Sequence, residues 1–244
     1  MLDCISVANM RQSDRLTIEK YVPGRTLMYR AAMGVYLAGR WEGRVTIAAG
    51  SGNNGGDGYA LACILKKRGV DCRLVTLGDK RSPDGDYYAR RAEALGVEAA
   101  PYAPGCLAGS DVIVDCLLGT GFQGSVRPDY EAAIREINGS GAYVVSVDIN
   151  SGMNGDTGRA VTAVRSDLTV TVGFVKNGLV APGAERWIGR LVCADIGIML
   201  DREENRICAP GEWSEERSDD PRCFLCPPYL DMAVIDAAGY EEEA

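Results

Sequence analysis

The densest group of chemically useful residues lies between Val45 and Leu65. There Gly50-Ser51-Gly52-Asn53-Asn54-Gly55-Gly56-Asp57-Gly58 joins a short apolar run, Val45–Ala49, to a helical pattern. Glycine permits positive φ and lets main-chain N–H groups approach an anion with no Cβ in the way. At a strand-to-helix junction those N–H groups add to the positive end of the helix dipole, which favours phosphate. Gly50, Gly52 and Gly55 satisfy the dinucleotide pattern G-x-G-x-x-G, and the absence of a following Lys-Ser/Thr excludes a Walker P-loop. The plain alternative is a glycine-rich turn. A turn has no need of Asn53, Asn54 and Asp57 together, so the cluster points to a ligand.

Two other stretches carry carboxylates at comparable places. Asp115 closes the apolar run from Asp111 and opens Cys116-Leu117-Leu118-Gly119-Thr120-Gly121-Phe122-Gln123-Gly124. Asp148 closes Tyr143–Val147 and is followed by Ile149-Asn150-Ser151-Gly152. A single aspartate in such a place is most often a cap or a group satisfied by loop amides. Two of them, each leading into a glycine-containing loop, point to a shared site. Asn54, Asp115 and Ser151 offer an amide oxygen, a carboxylate and a hydroxyl, hard ligands for an alkali or alkaline-earth cation. With one negative charge among them, a monovalent ion such as potassium suits the set best. Asp148 is then the candidate acid/base. The Gly119–Gly124 loop, with Ser125, Arg127 and Tyr130 beyond it, could wrap a phosphate or ribose, Arg127 being either a charge partner or a solvated surface residue. Tyr130 could stack on a ligand or simply pack.

These residues need elements to bring them together. Helical spacing runs from about Val7 to Lys20 and from Arg25 to Arg40, with Val22-Pro23-Gly24 as the break between the two. Beyond the glycine loop, helix is predicted over 59–68, 84–95 and 129–138, and strand over 45–49, 72–77, 111–115, 143–148, 168–172 and 189–194. Continuous apolar strands alternating with helices indicate a parallel sheet covered on both faces. In such a sheet ligands sit outside the carboxyl ends of the strands, where the three stretches above would meet.

Composition narrows the chemistry. The chain has 244 residues, no histidine and nine cysteines. Acid/base work near neutral pH therefore falls to a carboxylate, Tyr, Cys, Lys or bound water. An odd number of scattered cysteines fits reduced thiols in a cytosolic protein, and the single close pair, Cys223 and Cys226, is poor evidence for zinc. No apolar run is long enough to cross a bilayer and no basic n-region opens the chain. The net charge of −8 falls on residues 201–244, leaving a nearly neutral body with no pull toward nucleic acid.

Taken together, Gly50–Gly58, Asp115–Gly124 with Arg127 and Tyr130, Ser146–Gly152 and Asn154-Gly155-Asp156-Thr157-Gly158 resemble the YjeF N-terminal domain family. The likeness covers roughly residues 1–200. It includes Met10-Arg11, Asp14-Arg15, Leu27-Met28, Arg30, Lys176-Asn177-Gly178-Leu179 and Asp195-Ile196-Gly197. It implies a Rossmann-like three-layer α/β/α sandwich with a mostly parallel central sheet and an N-terminal helical pair. It also implies an NAD(P)H-hydrate epimerase, an isomerase that interconverts the R and S forms of hydrated NADH or NADPH for a partner NAD(P)HX dehydratase. Carried over by position, Asn53, Asn54, Gly55, Gly56, Asp57, Gly119, Thr120, Gly121, Phe122, Gln123, Gly124, Ser125, Tyr130 and Asp148 would contact the dinucleotide. Asn54, Asp115 and Ser151 would ligate one potassium ion per subunit, and Asp148 would be the acid/base. A cytoplasmic homodimer, with no nucleic acid and no membrane, is the expected state.

Some positions depart from the family pattern. Asn150 stands where proline is usual, which predicts a less rigid turn before Ser151. Tyr29 and Ala32 stand where an acid and a glycine are usual, which predicts altered helix packing. Residues 1–200 are read as the epimerase domain, and 201–244 as an irregular, acidic C-terminal extension of unknown role. The competing readings are a non-catalytic nucleotide-binding or interaction module of the same fold, and a dehydrogenase. The former has no chemical need of Asn54, Asp115, Asp148 and Ser151 together. The latter needs a ribose-binding acid at the end of the second strand, for which Asp79 lies late.

Overall fold

The computed structural model describes residues 3–201, 206–207 and 229–240. A short strand, β1 (Asp3–Ile5), leads into α1 (Val7–Lys20), whose first turn is capped by the Ser6 hydroxyl accepting from the Asn9 N–H at 3.1 Å. The Pro23-Gly24 break starts α2 (Gly24–Ala38). The alternating body follows: β2 (Val45–Ala49), α3 (Asn53–Lys67), β3 (Cys72–Thr76), α4 (Pro83–Ala94), β4 (Glu98–Pro101), β5 (Val112–Cys116), α5 (Pro128–Gly139) and β6 (Tyr143–Val147). Then come β7 (Leu168–Val172), β8 (Val175–Lys176), a 3-10 turn at Asn177–Val180, α6 (Glu185–Ile188) and β9 (Arg190–Ala194). The last described pieces are β10 (Arg206–Ile207), β11 (Tyr229–Leu230) and α7 (Met232–Tyr240).

The main sheet has eight strands in the order β11-β9-β7-β6-β5-β2-β3-β4, and every pairing in it is parallel. Alternate residues of each strand feed opposite faces. Ile47, Val112 and Val114 join the cluster under α2, α3 and α4, whereas Ala48, Ile113 and Val144 join the one under α5. Helices on both sides of a parallel sheet make the expected three layers. From β2 the chain winds outward to β3 and β4, then returns to place β5 on the other side of β2. That reversal leaves a crevice at the carboxyl ends of β2 and β5, the place where open α/β sheets bind ligands.

The sequence reading has no strand at β1, β4 or β8, and it differs from the structure in two longer stretches. Helix α3 begins at Asn53, inside the glycine-rich stretch, so Asn53, Asn54, Gly55, Gly56 and Asp57 form its first turns. The region 201–244 is also not irregular throughout. β11 adds an edge strand to β9, and α7 lies against α2 with Ile235 fully buried. The Arg30 guanidinium fastens that helix by bonding both carboxylate oxygens of Asp236, at 2.7 and 2.8 Å, and the Ile196 carbonyl at 3.2 Å. Tyr29, one of the departures from the family pattern, faces Gly239 of α7, where a Cβ would come within 2.9 Å of its ring. Cys223 and Cys226 lie outside the described residues.

Candidate functional site

A cavity of about 650 Å³ opens at the switch point, within the range of small-molecule and cofactor sites. Three strand ends and α1 build its walls. After β2, Gly52 precedes the first turn of α3, whose leading N–H groups lack intrahelical partners, and Gly52, Asn53, Asn54 and Asp57 line the cavity. After β5, Gly119, Thr120, Gly121, Phe122, Gln123 and Ser125 form the second wall. After β6, Asp148 forms the third, and Met10, Arg11 and Asp14 of α1 close the fourth. Arg11 donates to the Thr120 carbonyl and so ties α1 to the second wall.

Asp148 is the one non-glycine residue with positive φ among the described residues, at 68°. Such a backbone costs free energy and persists where surrounding structure dictates it. The Asp148 N–H donates to the Val170 carbonyl at 2.8 Å, and its carboxylate pairs with Lys176, whose side chain is fully buried while that of Asp148 is 13% exposed. The Lys176 ammonium donates to Asp148 Oδ1, to Thr171 Oγ1 at 3.1 Å and to the Val172 carbonyl at 2.6 Å. All three of its protons are thus used. The free oxygen, Oδ2, lies 3.3 Å from where a Cβ on Gly119 would sit. A glycine at 119 leaves that oxygen open toward the second wall.

Two more carboxylates share this environment. Burial pushes Asp57 well above the ordinary carboxylate range, Asp148 and Asp14 push it further, and Lys176 pulls against them. Asp14 is raised by burial and then by Asp148, again with Lys176 opposing. A carboxylate raised on folding favours the native state fully below its unfolded pKa, and that contribution is lost as pH rises through the folded one. Asp57 and Asp14 are therefore expected to contribute less stability as pH climbs from about 4 toward neutrality. Asp57→Asn removes that loss, so its urea midpoint at neutral pH is expected above wild type, with the gap closing near pH 4. A lower midpoint for Asp57→Asn than for wild type at neutral pH would contradict this.

Beneath the second wall, Asn54, Asp115 and Ser151 converge on the Leu117–Leu118 peptides. Asn54 Nδ2 donates to the Leu118 carbonyl at 3.0 Å, and the Leu118 N–H donates to Ser151 Oγ at 2.8 Å. Asp115 is fully buried, and its oxygens accept from the Ser146 hydroxyl, the Ser151 hydroxyl and the Ser151 and Leu117 N–H groups. Burial raises its pKa while those four hydrogen bonds hold it down, and none of these partners carries a positive charge. Asn54 Oδ1 is buried with no hydrogen-bond partner. An orphaned amide oxygen and a buried carboxylate with no cationic hydrogen-bond partner, on side chains that both bond the Leu117–Leu118 segment, fit a hard monovalent cation. Both Asp115 oxygens are already shared between donors, so a cation there would compete with the Ser151 hydroxyl.

The remaining expected residues divide. Gly55 and Gly56 do not line the cavity. A Cβ on Gly55 would lie 1.9 Å from the Gly50 carbonyl oxygen, and one on Gly56 would lie 2.5 Å from the Met28 methyl. Gly124 also stands outside the lining, at φ 83°. Tyr130 lines the cavity, but its hydroxyl is spent on the Leu77 carbonyl at 3.0 Å, and Arg127 stacks 4.6 Å from its ring centroid. Asn150 does not loosen its turn. Its buried side chain donates to the Val164 and Trp187 carbonyls and the Ser166 hydroxyl, and accepts from Thr169. Lys176 and Asp14 were given no role by the sequence reading, although a lysine beside Val175 in an apolar strand signals a buried partner.

A profile of the YjeF-related protein N-terminus family matches residues 24–178, more than half of the chain. The chain belongs to this family. It is 35% identical over 202 residues to an NAD(P)H-hydrate epimerase of Limosilactobacillus fermentum, an alignment covering 78% of this chain and 95% of that protein. It is 34% identical over 196 residues to a bifunctional NAD(P)H-hydrate repair enzyme Nnr of Coxiella burnetii, covering 78% of this chain but 40% of that longer protein. A crystal structure of a yeast protein shares the fold, with a TM-score of 0.66, 21% identity and coverage of 72% of this chain and 83% of that one.

Proposed function

We propose that this YjeF-related chain is an NAD(P)H-hydrate epimerase with Asp148 as its acid/base group. The observation that carries the reading is Asp148 itself: at positive φ and ion-paired to a fully buried lysine, it lines a cavity that a helix N-terminus and a glycine loop enclose. The α3 N–H groups and the Gly119–Ser125 loop suit the phosphates and riboses of a dinucleotide. Asp148, as an acid, protonates the departing hydroxyl on the hydrated ring, and water leaves. The ring nitrogen delocalises the resulting cation, which the carboxylate then faces and stabilises. Water returning to the other face gives the other epimer.

Asn54, Asp115 and Ser151 would hold potassium, and a bound cation there would balance the buried Asp115 charge and brace the Leu118 loop. Activity and thermal stability are expected to rise with KCl and not with choline chloride at equal ionic strength. Asn54→Leu, which removes the orphaned oxygen, is expected to abolish that difference. A wild-type response equal in the two salts would remove potassium from the reading.

Among the described residues no helix is long and apolar enough to cross a membrane, and Cys63, Cys72, Cys106, Cys116 and Cys193 are free thiols. The cysteines support a reducing, cytoplasmic setting. The homodimer would use the exposed Ile18 of α1 and Tyr21 just beyond its end. A dehydratase is the functional partner, as the bifunctional repair enzymes among the relatives suggest. The decisive assay supplies the full chain with one epimer of hydrated NADH and follows the other by chromatography. Acceleration over the spontaneous rate is expected; none would favour a binding module of the same fold.

A further inference from the structure

An exchange that proceeds by loss and return of water has a requirement that one carboxylate cannot meet. The leaving hydroxyl takes up a proton on one face of the ring, and the entering water gives one up on the other. Unless the ring turns over in the site, each face needs its own acid/base group. The cavity offers titratable groups from several elements. Asp148 stands at the end of β6, Asp57 on the first turns of α3 and Asp14 on α1, and all three line the same space. Lys176 of β8 opposes both Asp14 and Asp57 electrostatically. Cys116 at the end of β5 is a buried thiol pushed well up by burial, with Asp115 and Asp57 adding to the shift, so it stays neutral. On the rim, Arg11 is engaged with Thr120, Asp84 with Arg25 and Arg127 with Asp129.

Lys176 engages Asp148 alone among the three carboxylates, donating to its Oδ1. Neither Asp57 nor Asp14 has an ammonium partner of that kind, and burial together with the charges of Asp148 and Asp14 makes Asp57 the member that most readily holds a proton. One carboxylate fixed by a cation and a second that retains its proton, facing one cavity, are the two states that acid/base exchange across a ring demands.

We propose that Asp57 is the second acid/base group of the site, serving the ring face opposite Asp148, with Asp14 coupled to it as the proton relay. The inference rests on the epimerase reading. In one direction Asp57 gives its proton to the departing hydroxyl; the C–O bond breaks, the electron pair leaves with oxygen as water, and the ring nitrogen shares the positive charge. Water then forms a new C–O bond on the other face and passes a proton to Asp148 Oδ2. Transfer of that proton back toward Asp57, through Asp14 and water, restores the starting state with nothing consumed. In the other direction the two carboxylates exchange parts.

The test uses the full chain, each single epimer of hydrated NADH, and water enriched in oxygen-18. Wild type is expected to convert each epimer and to place the label in the product. Asp57→Asn is expected to slow conversion about 10²-fold or more while the label still enters the recovered epimer whose hydroxyl faces Asp148. Loss of substrate binding alone would lower exchange and conversion together. Asp14→Asn removes a neighbouring negative charge, which makes Asp57 easier to ionise. The alkaline limb of the kcat/KM profile is then expected to move to lower pH. Conversion by Asp57→Asn at the wild-type rate, parallel loss of exchange and conversion, or an unmoved alkaline limb in a folded Asp14→Asn would each overturn the inference and leave the epimerase reading standing. A wild-type chain that leaves both epimers at the spontaneous rate would overturn that reading, and this one with it.

Discussion

Asp148→Asn is expected to lower kcat about 10²- to 10⁴-fold with little change in dinucleotide affinity. The substitution isolates proton chemistry because asparagine keeps what else the residue does. Asparagine tolerates positive φ as aspartate does, so the 68° backbone is preserved. Its amide oxygen can still accept from Lys176, whose other two protons are held by Thr171 and Val172. What disappears is the carboxylate oxygen that faces Gly119, together with the negative charge beside the developing ring cation. Lys176→Met acts differently: it strands a buried carboxylate with no partner, so stability and turnover are expected to fall together. Single-turnover conversion and a separate binding titration on Asp148→Asn distinguish the two effects. Wild-type turnover in that variant would show that another group moves the proton.

The parts of this architecture that could be read without coordinates are those whose physics is local. Runs such as Val112–Val114 and Val144–Val147 have no polar alternation because both faces of a parallel strand are buried, and they fall where the pattern places them. The carboxylates that close β5 and β6, and the amides ahead of α3, followed from strand order alone. β4, with Glu98–Pro101 exposed along the sheet edge, offers no such run. The start of α3 was hidden because Asn-Asn-Gly-Gly disfavours helix, and tertiary packing overrides that preference here. Asp14 reads as the polar face of an amphipathic helix until α1 is laid across the cavity. Lys176 is set apart by its apolar neighbours, but its partner lies 28 residues earlier and only the β6–β7–β8 arrangement joins them. The acidic composition of 201–244 masks α7, whose stability comes from Ile235 and the Arg30–Asp236 pair.

The glycine loop holds the second large effect, because its glycines serve two purposes that the sequence alone does not separate. At Gly50 a Cβ would fall 1.9 Å from the Leu117 carbonyl oxygen, and at Gly55 one would fall 1.9 Å from the Gly50 carbonyl oxygen and 3.1 Å from its nitrogen. Those obstacles are backbone, and they cannot yield: the Gly50 N–H is bonded to the Cys116 carbonyl at 2.9 Å, and Leu117 is fixed through Asp115. Gly55→Ala must therefore separate α3 from the ends of β2 and β5. It is expected to cost about 3 kcal/mol or more, read as a large fall in urea midpoint or as insoluble protein. Gly52 differs, since nothing lies within 4 Å of its Cβ position and its φ of −103° suits any residue. Gly52→Ala is expected to keep stability within about 1 kcal/mol of wild type, the ordinary cost of a poorer cap. Its methyl would project into the cavity at the N-terminus of α3, so dinucleotide affinity is expected to drop sharply. Measured side by side, unfolding and binding should thus move in opposite members of the pair. A Gly55→Ala protein with a wild-type midpoint would mean that the loop is not pinned between the strands, and the three walls of the site would lose the contact that holds them in register.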